Sequence, residues 1–392
     1  MKININDIKE IPKNINQKGF CIYGEPSEEL KDWLSYHKFD YNKPDKFTNI
    51  EIPSDYDIES CFELPKKYQY MDGFSPNLNK HLHLGHVSNF ILAKAFQNLD
   101  ISSKNIANLG DTLTGDVSKD VALTAYIDIC QRYGYNLDNI YFASQLTGID
   151  DMLVSGTGDY EGTLVFDLDD TKVVGKKSDG STSYFYQDVS LAKILNDKTL
   201  YLTGSEQSNH FNNLRKLFPH IEHLGLGLVS VKGEKMSSRK GNVIYLTEII
   251  DIFKDKFGDD DKLVWNVLAG YILKYSPTTN KSIDLDQLDN PKLSAGLYIS
   301  YTLAKLKSAG LEIEEKKYFN SSIMKYKYLK SKTNLDPKTL FIGIVDIATE
   351  LSSLYEKYKI NGQPDNHHIF KSLAEDMLLG MKSIGMFDID RV

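Results

Sequence analysis

From Tyr68 to Val231 the chain alternates two kinds of segment, and this alternation limits the folds open to it. Short runs rich in apolar and β-branched residues, at Asn105–Leu109, Asn139–Ala143, Leu164–Asp167, Leu200–Thr203 and Leu226–Val231, read as strands. Between them lie helix-like stretches. After His86, apolar Val87, Phe90, Ile91, Ala95, Phe96 and Leu99 recur at three-to-four spacing, and Ser208–Phe218 is a second such stretch. Strands alternating with helices predict an α/β protein with a parallel sheet and helices on its faces. Leu164–Phe185 reads as an antiparallel insertion whose turn lies at Ser178-Asp179-Gly180. After Thr247, a predicted N-cap, the pattern is helical to the end. Pro44–Asp57 is mostly polar and reads as loop.

Composition excludes several classes. With 41% hydrophobic and 26% charged residues in 392, the chain is that of an ordinary globular protein of two or three domains. No apolar run approaches the roughly 18 residues of a membrane helix, and MKININDIKE carries no signal-peptide core. Cys21, Cys61 and Cys130 are scattered, without metal-ligand spacing, which predicts a reducing, cytoplasmic setting. The net charge of −8 argues mildly against a nucleic-acid partner, which needs a local basic surface. One stripe offers such a surface. Lys316, Lys317, Lys325, Lys327, Lys330 and Lys332 interleave with Tyr318, Tyr326 and Tyr328, as either a solvated helix face or an RNA contact.

Two segments carry chemistry. The first runs Ser75-Pro76-Asn77-Leu78-Asn79-Lys80-His81-Leu82-His83-Leu84-Gly85-His86, between a strand and a helix start. A helix N-terminus offers unpaired N–H groups and a positive dipole end to phosphate. Gly85 permits close approach of a nucleotide, and His83 and His86 can donate hydrogen bonds to phosphate oxygens. A metal cluster of His81, His83 and His86 is the competing reading, but no nearby carboxylate or cysteine completes a recognised ligand set. The second segment is Lys235-Met236-Ser237-Ser238-Arg239-Lys240-Gly241-Asn242. Its three cations can grip a triphosphate and stabilise charge that builds during attack on the α-phosphorus. Taken alone, it is an ordinary basic loop.

Together, in this order, the two segments resemble the paired signatures of class I aminoacyl-tRNA synthetases. The resemblance sharpens to the arginyl-tRNA synthetases through Ser75-Pro76-Asn77, Asp179-Gly180-Ser181-Thr182-Ser183-Tyr184-Phe185-Tyr186-Gln187-Asp188, Gly204-Ser205-Glu206-Gln207-Ser208-Asn209-His210-Phe211 and Gly296-Leu297-Tyr298-Ile299-Ser300-Tyr301. It implies a Rossmann-like catalytic domain over 71–285 with a β-rich insertion near 160–186. A short module over 1–70 precedes it, and a shortened helical anticodon-binding-like domain follows over 286–392. It implies ATP held by His83, Gly85, His86, Lys235, Met236, Ser237, Arg239 and Lys240, with His83, His86, Lys235 and Lys240 catalytic. Mg²⁺ accompanies ATP, and no resident metal is implied. Arginine is assigned to Asn77, Tyr184, Asp188 and Gln207. A carboxylate at Asp188 suits the planar guanidinium, Tyr184 can pack on it, and Asn77 and Gln207 can take the α-amino and carboxylate groups. On spacing alone, Tyr184 and Asp188 read as a core aromatic and a helix-surface acid.

The chain departs from the family pattern. Residues 1–70 show no resemblance, the C-terminal helices look cut down, Thr112-Leu113-Thr114-Gly115 replaces a Trp-Gly continuation, and Ser88 stands where an Arg is expected. The implied activity is formation of arginyl-adenylate and transfer to tRNA, in a family that usually needs bound tRNA to activate arginine. Two alternatives are an arginine-activating paralogue with a non-tRNA acceptor and a non-catalytic binder of tRNA or arginine.

Overall fold

The computed structural model describes residues 3–4, 19–23, 25–43, 47–51, 62–63, 67–115, 117–231, 234–235, 244–284, 290, 294–358 and 367–390. The chain divides into two compact units. One comprises 67–249 and 278–283; the other comprises 1–66, 250–277 and 284–392. The sheet-bearing unit keeps 278–283, near the expected end at 285, while 250–277 group with the other unit.

In the second of these units, β1 (Ile3–Asn4), β2 (Gly19–Tyr23), α1 (Glu28–His37), β3 (Tyr41–Asn42), β4 (Phe47–Glu51) and β5 (Phe62–Glu63) come first. The strand β4 falls inside the stretch expected to be loop. It pairs antiparallel with both β2 and β3, and its Thr48 and Ile50 are buried. Alternation over only five residues was masked by the polar neighbours of Ile50.

The sheet unit contains β6 (Tyr68–Asp72), α2 (Leu84–Asn98), β7 (Ser102–Leu109), α3 (Lys119–Arg132), β8 (Asn139–Phe142), β9 (Val154–Ser155), β10 (Leu164–Leu168), β11 (Thr171–Lys176), α4 (Tyr184–Leu195), β12 (Thr199–Gly204), α5 (Ser208–Leu217), β13 (Ile221–Leu226), β14 (Val229–Val231) and β15 (Glu234–Lys235). Five strands form the central sheet in the order β13-β12-β6-β7-β8, every pair parallel. The first strand therefore sits in the middle, with the chain winding outward on both sides. Ligands of such sheets bind beyond the strand C-termini at this switch point.

The expected strand over Leu226–Val231 is two strands. The chain turns at Gly227, where a Cβ would meet the carbonyl of Thr279. The insertion is antiparallel, but its tight turn is Asp169-Asp170 between β10 and β11. The Ser178–Gly180 turn closes only a single bridge from Lys176 to Thr182. The aromatics that follow are helical, because Ser183 caps α4 by accepting from Tyr186 N–H while its hydroxyl donates to Val174.

The chain continues through α6 (Leu246–Phe257), α7 (Asp261–Leu273), β16 (Lys281–Ile283), α8 (Ala295–Ser308), α9 (Ser322–Thr333), α10 (Pro337–Tyr358) and α11 (His367–Ser383). The N-cap of α6 is Tyr245 rather than Thr247, and its N–H donates to Glu248 in half of a capping box. The basic stripe on and before α9 is engaged within its own unit. Lys325 is 1% exposed, Lys327 pairs with Asp346, Lys316 pairs with Glu314 and Glu375, and Lys330 lies over Tyr326.

Candidate active site at the sheet switch point

The N-terminus of α2 points from the C-terminal end of β6, and its two histidines have a defined arrangement. His83 is the N-cap. Its Nδ1 accepts from Gly85 N–H at 3.1 Å, while His86 Nδ1 accepts from His83 N–H at 3.3 Å. The rings stack with centroids 3.9 Å apart. Burial lowers the His83 pKa, with the nearby Lys80 adding to the effect; burial, His83 and Lys80 push that of His86 down to about 3. Both rings are therefore neutral at pH 7. With Nδ1 used as an acceptor, each carries its proton on Nε2, which is left as a donor. His81 stands apart, edge-on to Tyr245 at 5.7 Å. Among the described residues no three His, Cys, Asp or Glu side chains group as a metal site. Ser88, at the position expected to hold Arg, is buried within α2.

The flanks of the second basic segment approach this helix start. On one side β15 pairs with β14, whose Val229 lines the same cleft as His83. On the other, Tyr245 bridges His83, and Leu84 N–H donates to Ile244. Met236, Ser237, Arg239 and Lys240, together with the side chain of Lys235, lie outside the described residues.

A cleft of about 420 Å³ runs across the switch point, lined by Asp72, Ser75, Asn77, His83, His86 and Gln207 among others, with Gly85 at its edge. Asn77 is held by a bridge to Gly110 and by Leu78 N–H donating to the Gly110 carbonyl. Tyr184 and Asp188 lie on α4, outside that lining. Tyr184, the first residue of the helix, is 49% exposed and so is no core aromatic. Asp188 is no surface acid: its side chain is 18% exposed, and its two oxygens accept from Asn108 Nδ2 at 3.0 Å and pair with His210 Nε2 at 2.7 Å.

Sequence reasoning missed Asp72. It ends β6, is fully buried, and accepts from the Ser75 hydroxyl. Burial raises its pKa to about 7, with the Asp188 charge adding and the Ser75 hydrogen bond opposing. Ser75 also accepts from Asn108 N–H at 2.8 Å. A continuous chain of contacts thus runs Asp72–Ser75–Asn108–Asp188–His210. Position was the available signal, since Asp72 and Asn108 are the polar residues near the ends of two adjacent parallel strands.

A parallel sheet that reverses at its first strand, with a histidine-capped helix start lining the cleft at the reversal, is a Rossmann-like arrangement. No protein-family model matches the chain. In sequence, it is similar to the arginine–tRNA ligase of Oenococcus oeni, 26% identical over 231 residues, 48% of this chain and 41% of that one. It is also similar to that of Streptococcus agalactiae, 32% identical over 175 residues, 38% of this chain and 30% of that one. In fold, it matches the Thermus thermophilus arginyl-tRNA synthetase with a TM-score of 0.65 at 13% identity, over 98% of this chain and 96% of that one. The Plasmodium falciparum arginyl-tRNA synthetase matches with a TM-score of 0.57 at 16% identity, over 90% and 86%. The chain is thus similar to arginyl-tRNA synthetases in part of its sequence and in its fold. The sequence matches span less than half the length of these curated relatives.

Proposed function

We propose that this protein activates arginine with ATP and transfers it to tRNA. The observation that carries the proposal is the pair of carboxylates joined through Ser75 and Asn108: Asp72, in the same cleft as His83 and His86, and Asp188 on α4. Free arginine has two cationic groups, an ammonium and a guanidinium. Asp72 lines the cleft with a pKa raised by burial and by Asp188, so a cation beside it restores its charged form. Asp188 offers both oxygens to the planar guanidinium, and Tyr184 on the same helix can cover it. Asn77 and Gln207, both lining the cleft, can fix the α-amino and carboxylate groups. Amino acids with neutral side chains would forgo the charge-assisted pair with Asp188 and be disfavoured.

The Nε2–H donors of His83 and His86 and the N-terminal dipole of α2 suit the phosphates of ATP, and the resemblance assigns Lys235 and Lys240 to the same phosphates. Mg²⁺ enters with the nucleotide. The arginine carboxylate oxygen attacks the α-phosphorus, a new P–O bond forms, and pyrophosphate leaves with the electrons of the broken P–O bond. Imidazole donors held neutral and oriented need little reorganisation as charge moves onto the phosphates.

Arginine-dependent exchange of pyrophosphate into ATP, measured with and without tRNA across all twenty amino acids, tests this reading. Exchange with arginine, strengthened by tRNA, is expected. Exchange with another amino acid, or with none under either condition, would overturn it.

A further inference from the structure

Asn108 lies on β7, two residues beyond Ile106, which pairs with Asp72; on its other side Asp72 pairs with Tyr201 of β12. Period-two alternation places Asn108 and Asp72 on one face of the sheet. The side-chain amide of Asn108 has a settled orientation. A carboxylate only accepts, so the atom 3.0 Å from Asp188 must be Nδ2, and a flipped amide would set two acceptors against each other. The opposite atom, Oδ1, is buried and has no hydrogen-bond partner within the protein. The hydroxyl of Tyr201 is likewise buried without a partner. Buried polar atoms are nearly always satisfied, so an orphan beside a carboxylate placed for substrate calls for a donor from outside the chain.

We propose that Asn108 is a specificity-determining residue that reads the guanidinium group: its Oδ1 accepts an N–H beside those taken by Asp188, while its Nδ2 holds Asp188 in place. This rests on the arginine-activating function proposed above and assigns it a further substrate contact. A guanidinium presents five N–H donors in one plane, enough to serve two carboxylate oxygens and an amide oxygen side by side. An alkylammonium has three donors pointing apart and cannot serve that row equally. Asn108 would therefore contribute to arginine selection over lysine as well as to arginine binding.

Calorimetric titration of arginine and lysine into the full chain, alongside exchange kinetics, tests the assignment with Asn108→Leu and Asn108→Asp. Leucine matches the volume and removes both polar functions. It is expected to weaken arginine binding about 30–100-fold, to narrow the arginine-to-lysine preference, and to leave the KM for ATP within twofold. Aspartate keeps an acceptor where Oδ1 stands but loses the donor to Asp188, so the two variants separate the roles. If Oδ1 touches the guanidinium, Asn108→Asp binds arginine better than Asn108→Leu. If Asn108 only positions Asp188, the added charge repels that carboxylate and the order reverses, which overturns the contact. The Asp variant keeps the native shape and carries the test if Asn108→Leu does not fold. Wild-type binding of arginine with an unchanged Asn108→Leu variant sinks this inference alone. A wild type that binds no arginine removes the proposed function and this contact together.

Discussion

Asp72 couples the candidate site to pH through linkage. Its folded-state pKa is about 7, against an ordinary 3.8. Between these values the folded protein holds a proton that the unfolded chain has released. The resulting stabilisation is fully present below about 3.8 and lost as pH rises through 7. From pH 5 to 8, wild type should lose on the order of 2–3 kcal/mol more than Asp72→Asn. Urea unfolding at pH 5, 6.5 and 8 measures the difference. Asp376, also raised to about 7 by burial, contributes in the same direction in both proteins and cancels from the comparison. Equal pH slopes for the two proteins would mean that Asp72 is ionised throughout. No composition or periodicity rule announces such a group. Asp188 was legible because it sits in a dense motif, whereas the importance of Asp72 depends on a register that buries it between β7 and β12.

The strand–helix alternation was legible because burial on both sheet faces imposes it. Places where the reading slipped are those where a contact across the fold outweighs local propensity. Tyr184, Phe185 and Tyr186 look like strand residues, yet they start a helix because Ser183 caps it and Phe185 and Tyr186 enter the core with Val189. The approach of the Asn77 segment to β7 was equally invisible. A Cβ on Gly110 would lie 1.8 Å from Asn77 Oδ1 and 2.8 Å from its Cγ, with the Asn77 Cα 3.4 Å away. Gly110→Ala should therefore push Asn77 off β7 and raise the KM for arginine about 10–100-fold. The KM for ATP should move much less, because His83 and His86 are held by hydrogen bonds within the start of α2. Exchange kinetics with each substrate varied in turn separate the two effects. An unchanged arginine KM would show that Asn77 does not touch the amino acid.

At the scale of the molecule, the helical unit is closed by its own C-terminal residues in a way no periodic pattern foretells. Asn266 on α7 donates to the Phe387 carbonyl at 2.8 Å and to Ser300 Oγ at 3.1 Å, and its Oδ1 accepts from Phe387 N–H at 2.8 Å. Trp265 donates to the Gly385 carbonyl at 2.7 Å. Beside this clamp α7 and α8 meet at Gly270 and Gly296, where a Cβ on Gly296 would lie 2.0 Å from the Asn266 carbonyl oxygen. The helices were legible from the sequence, but a partnership between residues 266 and 387 was not, since it joins positions 121 apart. Asn266→Ala removes three hydrogen bonds, two of them to the part-buried backbone of Phe387. A loss of about 2–4 kcal/mol is expected. Both tryptophans of the chain, Trp33 and Trp265, are buried in this unit, so intrinsic fluorescence reports on it selectively. In urea, the fluorescence midpoint of Asn266→Ala should fall while the slope of the transition stays constant, because the area exposed on unfolding is nearly unchanged. An unshifted midpoint would show that the C-terminal residues add nothing to the stability of the helices they cover.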